Sequence, residues 1–333
     1  MTYARARLWL GISGVGLWVT LSTLGLLMGP FSGWELLGVY LSVQLPLDYL
    51  GGYWLPLRYG RRVEGGFWGS YLRGVAVQTV LLVGFGGLML VLGAWGGRWA
   101  VLGGQFILML AMLWGQESLA GILAGQVGED LGYTGGIAGL PGRERVVVPR
   151  GWDPRLQTFA FLRRRAAIES GSRTRGVWVA MGWNLLGFQL ASFLPGAGVA
   201  EESALVRTVF GFALWSFLGV LVLPTVSRWG VFEVDRFSKR LGLREPEFSM
   251  AARELDRRQD DEPQRAAGVE AIFHPLPSVA SRMARFGEER AGWGAWNAAR
   301  YALFLAWPCL GLLSRAVHCN VGRPELWVFL PVD

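Results

Sequence analysis

Five stretches of this chain contain no Asp, Glu, Lys or Arg: Leu8 to Met28, Gly74 to Gly97, Trp99 to Gln116, Gly176 to Ala200 and Thr208 to Ser227. A helix rises about 1.5 Å per residue, so runs near twenty residues are what a hydrocarbon layer of about 30 Å requires. The rest of the 333 residues agrees, with 52% hydrophobic and only 17% charged side chains. That balance leaves too much apolar surface for an ordinary soluble domain. Two weaker segments complete the pattern. Trp34 to Leu57 carries Glu35 and Asp48, and Ala298 to Ser314 is short, with Arg300 near its start, where a long side chain can snorkel. The expectation is an α-helical polytopic membrane protein with about seven transmembrane helices. Arg5 and Arg7 ahead of the first run imitate the basic start of a signal peptide. The run is long, however, lacks a small-x-small cleavage site and precedes further crossings, so it reads as a membrane helix.

If seven segments alternate across the bilayer, all but four of the 32 Lys and Arg residues fall on one side; Arg98, Arg207, Arg315 and Arg323 are the exceptions. This bias predicts a multi-pass protein of a bacterial-type inner (cytoplasmic) membrane, with the N-terminus and both long polar stretches cytoplasmic and the C-terminus external. The net charge of +7 is spread over membrane-flanking loops and mixed with 25 acidic residues, which points to anionic lipid headgroups and away from nucleic acid. Cys309 and Cys319 would stand about 15 Å apart on one helix, so they can pair only if that helix ends between them.

The organisation follows from these runs. Residues 1–116 hold four transmembrane helices, 117–175 a polar stretch, 176–227 two more helices, 228–297 a second polar stretch, and 298–333 a last helix with an external tail. The two polar stretches are expected to fold together. Between Gly132 and Pro149 short β-branched pieces alternate with Gly and Pro, which predicts a β-hairpin or small sheet. Asp153-Pro154 is a helix start. In the second stretch helical spacing covers Phe232 to Leu241, a charged helix covers Ser249 to about Asp261, and a turn at Phe273 to Ser278 leads into a short helix from Val279 to Phe286.

Gly135 to Pro149, then Ser227-Arg-Trp-Gly-Val-Phe-Glu-Val-Asp235, then His274-Pro275 followed by Arg282, resemble in order three segments of the M48 membrane peptidases. This is the family of the heat-shock membrane protease and the CAAX prenyl protease. The resemblance implies a cytoplasmic α+β, zincin-like domain assembled from the two polar loops. It also implies where zinc would sit. Family catalysis uses His-Glu-x-x-His on one helix, because residues four apart share a face and can bind one metal while the Glu acts as base. The matching stretch here is Ile168-Glu169-Ser170-Gly171-Ser172, and the third ligand position falls on Val231. Ile168, Ser172 and Val231 replace all three ligands, so no cofactor is expected and the usual zinc-water chemistry is lost. Glu169 keeps the base position.

In an alternative, Glu169, Asp235 and His274 converge and rebuild a metal site for an active metalloendopeptidase; otherwise His274 caps a turn and Asp235 pairs with an Arg. His318 is expected on the opposite side of the membrane. Ser170 and Ser172 have no histidine near in sequence to make them nucleophiles, His318 and Cys319 are adjacent rather than facing, and the glycines of 132–142 lack the Gly-Lys-Ser/Thr of a phosphate loop. Glu35 and Asp48 either mark a transport path or reach headgroups from a short or re-entrant segment. The reading that follows is a pseudopeptidase, a non-catalytic membrane protein that binds peptides or other membrane proteins or serves as a regulatory scaffold. A structural subunit of a membrane complex is a third possibility, suggested by the 17 Trp residues, which could equally be interfacial anchors.

Overall fold

The computed structural model describes residues 1–29, 31–61, 63, 67–124, 135–149, 151–259, 261–288 and 293–328. Helix α1 (Tyr3–Met28) starts at Thr2, whose side chain accepts the N–H of Arg5. Helix α2 (Gly33–Tyr49) passes through a π-type turn at Leu50–Trp54 into the short α3 (Leu55–Arg58). Helical structure next covers Phe67–Trp114 (α4) and Gln116–Ala124 (α5), and strands β1 (Gly136–Ala138) and β2 (Arg145–Val147) follow. Beyond them lie α6 (Pro154–Glu169), α7 (Ser172–Ala191) and α8 (Glu202–Arg240). The chain closes with α9 (Glu245–Gln259), α10 (Ala267–Phe273), α11 (Val279–Arg285), α12 (Ala298–Leu305) and α13 (Glu325–Val328).

Among the described residues, three helices are long and apolar enough to cross a membrane: α1, α4 and α8. Their outward faces suit lipid. Val80, Val91 and Ile107 are each at least 65% exposed, and exposed tryptophans collect at both ends of the bundle, Trp34, Trp95 and Trp99 at one and Trp9, Trp54 and Trp114 at the other. Indole rings favour the two membrane–water boundaries for their mixed apolar and hydrogen-bonding character.

Helix α4 folds back on itself. At Gly97 the backbone takes φ 63°, ψ −155°, and the two arms lie antiparallel, so that the Gln105 amide reaches Met89 Sδ at 3.8 Å. Open space surrounds the Gly97 Cα, so a methyl group there meets no neighbour and acts on the backbone alone. That conformation is essentially restricted to glycine. Gly97→Ala is therefore expected to cost about 1–3 kcal/mol, read as a lower unfolding midpoint in detergent; an unchanged midpoint would show that the turn accepts another geometry.

The two polar stretches pack together. Asp153 caps α6 by accepting the Arg155 N–H at 2.8 Å, with Pro154 in the first turn, where its missing N–H costs nothing. Trp152, Leu156 and Phe159 from this side bury against Leu243, Phe248, Leu255 and Phe286 from the other. The hairpin pairs Gly136 with Val147, Ile137 with Val146 and Ala138 with Arg145. Arg173 at the start of α7 fastens it, donating to the Gly139 carbonyl, to Glu144 at 3.3 Å and to the Tyr301 hydroxyl at 3.2 Å. Helix α8 runs unbroken from the apolar run into the polar stretch as far as Arg240, past the boundary expected at Ser227.

The end of the chain departs from expectation. Ala298 to Ser314 is no continuous helix: α12 has eight residues, about 12 Å, and gives way to 3₁₀ turns at Trp307–Cys309 and Leu312–Ser314. Helices α1 and α8 are antiparallel, since Gly25 abuts Phe210 while Leu8 and Ile12 share a groove with Val220 and Pro224. The last segment starts level with the first residues of α1, where Ala299 N–H donates to Ser227 Oγ at 2.9 Å. It reaches mid-bundle at Cys309, beside Asn184. It then returns past His318, packed on Gly11, to Arg323, which donates to the Tyr3 hydroxyl at 3.1 Å. The segment thus enters and leaves the bundle at one end, and the described residues to Val328 form no tail on the opposite side. Such irregular backbone is tolerated deep in a bundle because protein, not lipid, surrounds it. Arg300 does not snorkel; it is buried and donates to Cys319 Sγ and the Leu326 carbonyl. Helix α12 ends at Leu305, before either cysteine, and both Cys309 and Cys319 are free thiols.

Candidate functional site: a cationic cavity around His274

The residues expected to form one site are separated by the local backbone. Helix α6 ends at Glu169, Gly171 takes φ 71°, and α7 begins at Ser172. Ile168 and Ser172 therefore sit on different helices, which corrects the expectation of a single helix carrying the degenerate motif. Each is occupied structurally. Ile168 packs against the main core and Val231 lies wholly inside it. Ser172 Oγ donates to the Gly294 carbonyl and accepts from Trp296 N–H, both at 3.2 Å, tying α7 to the approach of α12. Glu169 pairs with Arg165 one turn back on the part-exposed face of α6.

Asp235 lies buried on α8 between two guanidinium groups. Arg163 Nε donates to Oδ1 at 2.8 Å, while Arg282 Nε donates to Oδ2 at 3.0 Å and its Nη2 to Oδ1 at 3.2 Å. Burial, and then the neighbouring Arg282, push Arg163 down to about 9, a shift that Asp235 opposes. Arg163 remains a cation at neutral pH, and the trio carries a net positive charge. The acid thus joins α6, α8 and α11.

His274 lies in a different place, in the turn after α10. It lines a cavity of about 70 Å³ that it shares with Arg282 and His318. The two histidine rings meet edge to face, with centroids 5.2 Å apart. His318 had been expected across the membrane; the returning last segment carries it here. The same wall holds Arg7, Arg265, Arg300 and Arg323 with Asp256 and Cys319. Arg7 donates to the His318 carbonyl at 2.8 Å, and Arg265 lies 3.6 Å from Asp256. Glu169, Asp235 and His274 do not converge, and among the described residues no three His, Cys, Asp or Glu side chains gather closely enough to hold a metal ion. The cavity escaped the sequence reading because its walls come from α1, α9, the turn after α10, α11 and α12 with the segment beyond it.

The acids of the second segment also have other roles. Glu35 completes a capping box with Ser32 at the start of α2. Asp48 is fully buried, pairing with Arg315 and accepting the Gly322 N–H at 2.7 Å. Arg315 also donates to Gln78 at 2.9 Å. Asp48 anchors the returning chain inside the bundle, whereas Glu35 is exposed at the start of α2, at the end of the bundle that Trp34 marks.

No protein-family model matches this chain, and no curated protein matches it.

Proposed function

We propose that this chain is a multi-pass membrane protein that binds a partner without hydrolysing it, a pseudopeptidase built on an M48-like plan. The observation that carries the reading is the use made of the positions where chemistry would reside. Asp235 is held by two buried arginines, and Ile168 and Ser172 are split between two helices. A carboxylate already paired with two cations is a poor metal ligand, since releasing it would leave those cations buried and facing each other.

In this reading the helices form about six full crossings, counting the two arms of α4 separately, and a re-entrant last segment. The N-terminus and the polar unit lie on the cytoplasmic side of a bacterial-type inner membrane. Partner binding needs no metal, because an added peptide strand gains main-chain hydrogen bonds at a sheet edge, and the β1–β2 hairpin offers such an edge.

The test is the metal content of the detergent-purified full chain, measured by elemental mass spectrometry beside a Glu169→Ala, His274→Ala double variant. Background metal in both samples is the expected result. Near-stoichiometric zinc that vanishes in the variant would overturn the reading in favour of a hydrolase with a rebuilt site.

A further inference from the structure

Helix α10 is turned inside out. From Ala266 to Phe273 the only polar side chain is that of Glu270, and it is buried, its carboxylate accepting the Ser278 N–H at 3.1 Å. The outward side is formed by Ala266, Ala267, Gly268, Val269 and Ile272, all exposed, with Ile272 44% accessible. A helix on the surface of a water-soluble unit carries the opposite arrangement, with charged and polar residues outward. Helix α9, in the same polar unit, does so: Phe248, Ala251 and Leu255 are buried, while Arg253 and Arg257 are exposed.

The position of α10 says what meets this face. The helix packs against α8, and Phe273 at its end lines an apolar groove together with Leu221 and Pro224 of α8 and Leu8 of α1. Its C-terminal end is therefore level with Trp9, one of the exposed tryptophans that mark this end of the bundle. On α8, Leu218, Val222 and Trp229 share one face at helical spacing, and each is at least 47% exposed. Leu221 lies one turn from Leu218, so the face that α10 packs on adjoins this stripe. The apolar surface of α10 thus continues the lipid-facing surface of α8 at the level where indole rings collect, the depth at which an amphipathic helix sinks its apolar side between headgroups and acyl chains.

We infer that the outer face of α10 is a membrane-surface anchor, with Val269 and Ile272 inserted at the bilayer boundary beside the α8 stripe that ends in Trp229. The partner is the lipid surface itself, chosen over a second copy of the chain by the continuity of this face with the span of α8. Seating α10 on lipid also fixes the turn of His274, which follows it directly. The inference rests on the membrane placement of the chain and is independent of whether the protein hydrolyses anything.

The experiment uses the full chain, carrying Cys319→Ser, in phosphatidylcholine vesicles; a lipid without net charge suffices because the contact is apolar. Cys309 is wholly buried and takes no label. A nitroxide is placed on Ile272→Cys, and its collisions with molecular oxygen, which concentrates in hydrocarbon, are compared with those of a water-soluble nickel chelate. Labels on Val91→Cys in α4 and Arg253→Cys in α9 give the lipid and water references, both being exposed positions. The oxygen-to-nickel ratio at Ile272 is expected to exceed that at Arg253 by about tenfold or more. A ratio equal to that at Arg253 would overturn the inference, and low access to both reagents would do so by showing that protein covers the face. If Val91 itself behaves like Arg253, the membrane placement falls and the inference with it. As a second measurement, Val269→Asp and Ile272→Asp together should speed amide exchange in α10 by about tenfold in the same vesicles while α9 is unchanged. Unaltered exchange in α10 would count equally against the anchor.

Discussion

Arg315→Gln is expected to destabilise the bundle by about 3–5 kcal/mol, because it leaves the Asp48 carboxylate inside the bundle without its cation. Asp48 is fully buried, and its other partners, the Gly322 N–H and the Gln44 amide, are neutral. The effect belongs to the unmatched charge more than to the lost contact, since breaking one side of a buried pair costs far more than removing both sides. Asp48→Asn in the Arg315→Gln background should therefore recover much of the loss, as an amide oxygen can still accept the Gly322 N–H. Unfolding midpoints of wild type, both single variants and the double variant in detergent form a double-mutant cycle. Additive losses would mean that the two residues do not act as a pair.

The parts of this fold legible in the sequence are those governed by local rules. Charge-free runs marked α1, both arms of α4 and the apolar part of α8, because unpaired backbone cannot enter hydrocarbon and a helix satisfies it internally. Gly97 fell at the boundary of two runs, Asp153-Pro154 at a helix start, and the Gly-rich stretch before Pro149 at a hairpin. The last segment was not legible in the same way. An apolar run such as Ala298 to Ser314 is equally at home in lipid or walled by protein, and only the fold decides which. Signals of the second outcome were nonetheless present. Pro308 and Gly311 interrupt the run, Arg315 closes it, and Asp48 in the second segment required a buried cation from somewhere. Ser170-Gly171-Ser172 is likewise a turn signal, and the resemblance drew attention to a single helix where the glycine breaks it. The cavity wall could not be read locally at all, because His274 and His318 meet only after the segment reverses inside the bundle.

Asp235→Ala is the sharper test of what the polar unit does with its acids. Arg163, Asp235 and Arg282 are each almost wholly inaccessible, and Arg282 also lies over the Phe248 ring at 4.9 Å. Removing the carboxylate leaves two buried guanidinium groups close together with nothing between them. A loss of about 3–5 kcal/mol is expected, concentrated where α6, α8 and α11 meet. Hydrogen exchange should rise first in α6 and α11, whose attachment to α8 depends on this acid, while the apolar part of α8 and the α4 arms stay protected. Asp235→Asn should fall between the variant and wild type, since an amide oxygen accepts one guanidinium N–H but carries no compensating charge. If Asp235→Ala instead leaves stability and exchange unchanged, the acid is not holding the unit together. It would then be available to bind a ligand, and the case for a rebuilt catalytic site would strengthen accordingly.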